Sequence, residues 1–350
     1  MTVLLLTPSR GLGGGIERYV ATVQDAFAAR GIEHERLDLT RSGPAGQRRL
    51  LADATACLAR QPRASRVVLA HRALLPVAAV LARRCDVAGT TVICHGSDVW
   101  GPRVGPRWYA ESRLMRRPGV RVVTVSAFTA GALFPGCAAT ILPPGLSPDW
   151  FAELTRAGKD GRQSRPRPDG VELTSAFRLA DWQDKGLATL TGAVAALGRP
   201  DVRLTICGSG EPPAGLSDHV RRYPWCTIRP GLSDRELAVQ LARSDLFVLA
   251  TRTRAGRRSC GEGFGMVLLE AQVAGTPVVG PAYGGSPDAY LDEVTGATPR
   301  DESVATLAGV LGRLLGDPER LAEMGARAAE WSRECFAPDR YAALAVDRLL

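Results

Sequence analysis

The sequence predicts an α/β protein of two doubly wound, Rossmann-like domains facing each other across a cleft. Three observations lead there. The chain has 350 residues, the length of two ordinary domains. Short apolar runs alternate with helical patterns in two separate series. Between the series, residues 156–170 are rich in Gly, Pro, Arg and Asp, and they follow a Pro143-Pro144-Gly145 break.

In the first series Val3–Leu6, Glu35–Leu39, Val67–Ala70, Thr90–Cys94 and Val120–Val125 read as buried parallel strands. Ile16–Arg30, Gln47–Arg60, Leu74–Arg84 and Arg107–Arg116 read as the helices between them. The second series has strands at Val171–Phe177, Val202–Cys207, Thr227–Arg229, Leu246–Ala250 and Pro277–Val279. Its helices are Lys185–Leu197, Asp234–Arg243 and Gly265–Ala274, and two or three more run from Glu302 to Leu350. The expected domains are therefore 1–150, a linker at 151–170, and 171–334. A C-terminal helix over 335–350 can pack back on the first domain.

Composition bounds the function. Hydrophobic residues at 45% and charged residues at 23% exclude a disordered or fibrous chain. The longest apolar stretch, Leu74–Ala82, is far short of the ~20 residues of a membrane span. Val3–Leu6 is too short for a signal-peptide core, so a cytoplasmic location is expected, with peripheral membrane contact left open. Eight cysteines without a CxxC pair, and only four histidines, give no basis for a metal or a disulfide framework. The net charge of +8 is uneven. Residues 1–150 hold 19 arginines, no lysine and 10 acids, a net of +9; the remainder holds 25 basic and 26 acidic residues, a net of −1. The first half thus favours an anionic partner or surface, and without a reader motif or abundant aromatics that partner is not nucleic acid.

Five constellations can carry chemistry. Gly11-Leu12-Gly13-Gly14-Gly15 follows the first strand and opens the first helix, where glycines let backbone N–H groups approach an anion. It is not a dinucleotide fingerprint: counted from Gly11 or Gly13, the last position falls on Ile16 or Arg18. His95-Gly96-Ser97-Asp98 ends the fourth strand, where His95 can bond a substrate hydroxyl or move a proton. Arg178 to Lys185 follows the first strand of the second series; the two cations can neutralise a pyrophosphate, and Lys185 is one of only two lysines in the chain. Glu262-Gly263-Phe264-Gly265-Met266 leads to Glu270, eight residues on, in an apolar helix. A helical rise would separate the two carboxylates by roughly 12 Å, beyond a glycosidase pair and suited to two grips on one long ligand. Arg252 to Arg258 places four arginines just before that motif, as a phosphate or acceptor grip or as a solvated loop.

Taken in order, these motifs resemble the family 4 retaining glycosyltransferases of the GT-B fold. The resemblance covers most of the chain. It rests on GGGIERYV at 13–20, HGSD at 95–98, VSAFT at 125–129, LPPGL at 142–146, the Arg178–Lys185 loop, ICGSGE at 206–211 and EGFGMVLLEAQVAGTPVVG at 262–280. The arginine loop is similar to the subgroup of phosphatidylinositol mannoside mannosyltransferases. The resemblance implies that Arg178 and Lys185 hold the donor diphosphate and that Glu262 binds donor-sugar hydroxyls. It implies that backbone at Phe264, Gly265 and Met266 lies near sugar and phosphates, and that Glu270 binds the ribose. Gly14 and Gly15 would contact the donor from the first domain, and His95 would sit near the reacting centre. It implies no cofactor and no metal, with a nucleotide sugar as donor. Two positions depart from the family pattern: Phe177 stands where a glycine is usual, and Arg178 to Lys185 spans seven positions. Rival readings are a GT-B phosphorylase or sugar-nucleotide epimerase, a nucleotide-dependent oxidoreductase, and a non-catalytic sugar-nucleotide binder. Donor, acceptor and oligomeric state are not written in these motifs.

Overall fold

A computed structural model describes residues 2–8, 14–41, 43–61, 65–96, 98–100, 105–163, 170–254 and 259–350. Among them the strands form two six-stranded parallel sheets, one in each of two compact units. Unit 1 comprises Met1–Ser147 with Pro338–Leu350, and unit 2 comprises Pro148–Arg254 with Cys260–Ala337.

The strands of unit 1 are β1 (Val3–Thr7), β2 (His34–Asp38), β3 (Ser65–Leu69), β4 (Val87–Cys94), β5 (Val120–Thr124) and β6 (Thr140–Ile141). They lie in the order β2-β1-β3-β4-β5-β6. Those of unit 2 are β7 (Val171–Ala176), β8 (Val202–Gly208), β9 (Cys226–Pro230), β10 (Leu246–Val248), β11 (Val278–Val279) and β12 (Gly296–Ala297), in the order β12-β11-β10-β7-β8-β9. Central strands such as β1 and β10 are buried along their length, as expected for parallel strands with both faces covered. In both sheets the order reverses beside the first strand: between β1 and β3, and between β7 and β10. Such switch points open a crevice at the carboxyl ends of the strands, where ligands of these sheets bind.

Two segments carry more structure than their composition suggests. The stretch 151–170, expected as a linker, is helical as far as Gln163, in the helix Pro148–Gln163 of unit 2. Its glycines are packing residues. A Cβ on Gly158 would lie 2.4 Å from the Ala274 carbonyl oxygen, and one on Gly161 3.0 Å from that of Ala242. The last helix, Pro338–Leu349, lies against Gly15–Ala29 in unit 1. Its Tyr341 ring leaves no room for a side chain at Gly145, where a Cβ would approach to 2.6 Å. No helix among the described residues is long and apolar enough to cross a membrane.

Candidate functional site

Unit 2 gathers its functional side chains at the β7/β10 switch point. Past β7, Phe177 N–H donates to the Cys207 carbonyl and Leu179 N–H to that of Ser209, which ties the loop to the end of β8. A short turn follows, closed by Lys185 N–H to the Asp181 carbonyl at 2.9 Å. It ends at Gly186, whose φ of +69° and close approach to Ala250 (a Cβ would lie 1.9 Å from its carbonyl oxygen) exclude any side chain. The turn is thereby pressed onto the exit of β10, with Lys185 at its tip.

Glu262 reaches the same place from the other direction. Its carbonyl accepts the Gly285 N–H at 2.8 Å, and Gly284 (φ +114°) packs against that carbonyl. Lys185 Nζ donates to Glu262 Oε2 at 2.8 Å, and Thr251 Oγ1 donates to the same oxygen at 3.2 Å. Both partners of the ion pair are largely enclosed, with side-chain exposures of 24% and 16%. Burial alone would push the Lys185 ammonium down; the Glu262 charge and hydrogen bond, with Asp181 and Asp184 nearby, outweigh it and hold the lysine above its ordinary value. Lys185 is therefore a fixed positive charge at neutral pH.

The other residues of the motif fall differently. The helix is Met266–Val273, so Glu262 lies ahead of it and the helical rise does not set the Glu262–Glu270 separation. Gly265, at φ +88°, turns the chain into the helix and its carbonyl accepts the Leu268 N–H. Met266 begins the first turn, where the leading amides of a helix lie outside its i→i−4 ladder and can meet an anion. Phe264 is buried against Phe336. Glu270 is buried on the helix. Arg178 is on the Lys185 loop but exposed.

The base of the arginine loop is anchored. Arg252 N–H donates to the Asp184 carbonyl, and Arg254 Nη2 pairs with Asp184 Oδ1 at 2.9 Å. Thr253 N–H donates to Glu302 Oε1 at 2.6 Å, and Arg254 exchanges backbone hydrogen bonds with Cys260. Gly256, Arg257 and Arg258 lie outside the described residues. Sequence reasoning missed Thr251, Asp184 and Glu302. The only signal for Thr251 was its place just past a fully apolar strand.

In unit 1 Gly14 is extended and precedes the helix Gly15–Ala29; a Cβ on Gly15 would meet nothing within 4 Å among the described residues. The Glu17 carboxylate accepts the Gly14 N–H at 3.2 Å and already meets part of the helix-end charge. Gly11–Gly13 and Ser97 lie outside the described residues. His95 Nε2 is 2.8 Å from the Ala70 carbonyl, which can only accept, so Nε2 carries the proton and Nδ1 the lone pair. Asp98 Oδ1 accepts the backbone N–H of both His95 and Gly96, fixing the turn after β4. Burial lowers the His95 pKa against the opposing pull of Asp98, which keeps the ring neutral near pH 7. His71 stands nearby at the end of β3, with Nδ1 accepting from Ala73 N–H. Among the described residues no group of three His, Cys, Asp or Glu side chains is placed to hold a metal ion.

The family model described as glycosyl transferases group 1 matches residues 163–331. A GDP-mannose-dependent α-(1-6)-phosphatidylinositol monomannoside mannosyltransferase of Mycobacterium tuberculosis is 31% identical over 290 residues, 77% of this chain and 72% of the relative. The protein of the same description from Mycolicibacterium smegmatis is 31% identical over 267 residues, 72% and 67% of the two chains. Among solved structures, Anabaena Alr3699/HepE in complex with UDP matches with a TM-score of 0.74 at 17% identity over 99% of both chains. Sucrose-phosphate synthase from Thermosynechococcus elongatus matches with a TM-score of 0.76 at 17% identity, over 99% of this chain and 98% of that one. The fold they share with this chain is GT-B.

Proposed function

The chain belongs to the glycosyl transferases of group 1, and from that premise we propose that it is a retaining, metal-independent hexosyltransferase that moves a sugar from a nucleoside diphosphate sugar to an acceptor hydroxyl. The observation that carries the reading is the Lys185–Glu262 pair at the β7/β10 switch point, beside the start of Met266–Val273. Lys185, Arg178 and the first-turn amides meet the charge of the departing diphosphate. Glu262 accepts from a donor-sugar hydroxyl, Glu270 serves the ribose, and His95 with Gly14 and Gly15 serves the sugar from unit 1. The acceptor oxygen bonds to the anomeric carbon on the face from which the phosphate oxygen departs, and its proton passes to a donor phosphate oxygen. Catalysis is then orientation plus charge stabilisation, with no protein nucleophile required.

The acceptor is anionic in this reading. The surplus of +9 in residues 1–150 favours it, and the mycobacterial relatives are named for a phosphoinositide acceptor. The reaction belongs in the cytoplasm, with the acceptor free or at a membrane surface. GDP-mannose and UDP-glucose are the first donors to assay, each with a phosphoinositide and an inositol phosphate. Lys185→Ala and Glu262→Ala should each lower transfer ~10²–10³-fold without unfolding the protein. EDTA should leave the rate unchanged, and the product's anomeric proton should report retention. Near-normal transfer by either folded variant would sink the assignment.

A further inference from the structure

We infer that Thr251 is a positioning residue, whose buried hydroxyl commits one Glu262 oxygen to Lys185 and so presents the other to the donor sugar. The inference rests on the function proposed above. Thr251 is 2% exposed at the exit of β10. Its Oγ1–H and Lys185 Nζ both donate to Glu262 Oε2, which fills that oxygen's two lone pairs. Oε1 has no hydrogen bond among the described residues. Removing the hydroxyl changes what the lysine can do. An ammonium is a compact charge with three rotatable donors, and a carboxylate held by it alone can turn and offer both oxygens to it. The site would then close on itself as an ion pair, with no oxygen left for substrate. Thr251 prevents this because its own position is fixed by the strand end and its neighbours. It stands eleven residues from Glu262 and sixty-six from Lys185, so only the packing of β10 beside β7 brings the three together.

The test uses Thr251→Val, which keeps shape and removes the donor, and Thr251→Ser, which keeps the donor. GDP-mannose and UDP-glucose serve as sugar donors, and GDP and UDP as controls. With whichever donor the wild type uses, Thr251→Val should lower kcat by about 10- to 100-fold, the range for a lost hydrogen bond to a charged group. Its affinity for the bare diphosphate should stay within about twofold, and Thr251→Ser should return kcat to within a few-fold of wild type. Titration calorimetry gives a second reading independent of turnover. The extra affinity of the sugar nucleotide over the bare diphosphate should shrink in Thr251→Val and not in Thr251→Ser. A wild type that binds a sugar nucleotide but transfers none would refute the transferase reading, and that affinity difference would still decide the role of Thr251. A Thr251→Val protein with unchanged kcat or an unchanged sugar increment would overturn the inference, as would a wild type with no sugar increment.

Discussion

Gly186→Ala tests whether the Lys185 turn is held by contact with β10. Two costs follow from the geometry. The residue sits at φ +69°, which costs an L side chain roughly 1–2 kcal/mol. The new Cβ would lie 1.9 Å from the Ala250 carbonyl oxygen, against an ordinary carbon–oxygen contact of ~3.3–3.6 Å. Relieving that overlap by backbone movement adds about 1–3 kcal/mol, the usual cost of overpacking. Gly198 supplies the control. Its φ is +62° and a Cβ there would meet nothing within 4 Å, so Gly198→Ala carries the first cost alone. Both glycines lie in unit 2, at opposite ends of one helix. Urea unfolding of the two variants should therefore differ by about 1–3 kcal/mol. Lys185 is the residue before Gly186, so the displaced turn should also lower transfer at temperatures where the variant is fully folded. Gly186→Ala with the stability of Gly198→Ala and full activity would refute the argument.

Other consequences can be checked with the same methods. Gly145→Ala should destabilise unit 1 by driving a methyl into the Tyr341 ring; combining it with Tyr341→Leu should cost less than the sum of the two single changes, because contacting sites couple. Burial holds His71, His95 and His219 below the ordinary 6.5, so the unfolded chain takes up protons first. Stability should be full above about pH 7 and fall as the pH drops below 6.5, by at most ~1.4 kcal/mol per pH unit for each histidine. A flat urea midpoint from pH 7.5 to 5.5 would contradict this. The Arg254–Asp184 pair is half exposed, so its double-mutant coupling should be below about 1 kcal/mol and should fade in 1 M salt.

Much of the fold was legible because the central strands are apolar on both faces; Val3–Leu6 and Leu246–Ala250 have no other good place than a sheet covered on both sides. Strands β6 and β12 were not, since two residues carry no periodicity. The helix Pro148–Gln163 was misread for a physical reason. Where a helix packs backbone to backbone, the contact residues must be small, so Gly158 and Gly161 look like loop punctuation while doing the work of a core face. In the site, Lys185 and Glu262 were readable as motif residues, but their pairing was not. It depends on β7 lying beside β10, a non-local fact. The helical rise was likewise carried back to Glu262, although the helix, expected from Gly265, starts at Met266 after the glycine at φ +88°. Thr251 had only its place past an apolar strand, and a threonine there is ordinary until its hydroxyl is seen to face a carboxylate.

The charge surplus of the first half looks different once the C-terminal helix is placed. Arg121 Nη1 donates to the carbonyls of Asp347 and Arg348, and Thr91 Oγ1 to that of Leu349. Those are last-turn carbonyls, which a helix cannot satisfy for itself. Arg30 donates to the Asp339 carbonyl at the other end of the same helix. Arg72 and Arg107 are spent differently, both on the buried carboxylate of Glu111. So at least four of the nineteen arginines hold unit 1 together, two by fastening a helix that comes from the far end of the sequence. A charge that builds the fold is a weaker guide to a ligand than one left at the surface. The arginines that remain exposed, among them Arg113, Arg116 and Arg117 around the end of the helix Pro106–Met115, are the better candidates to meet an anionic acceptor.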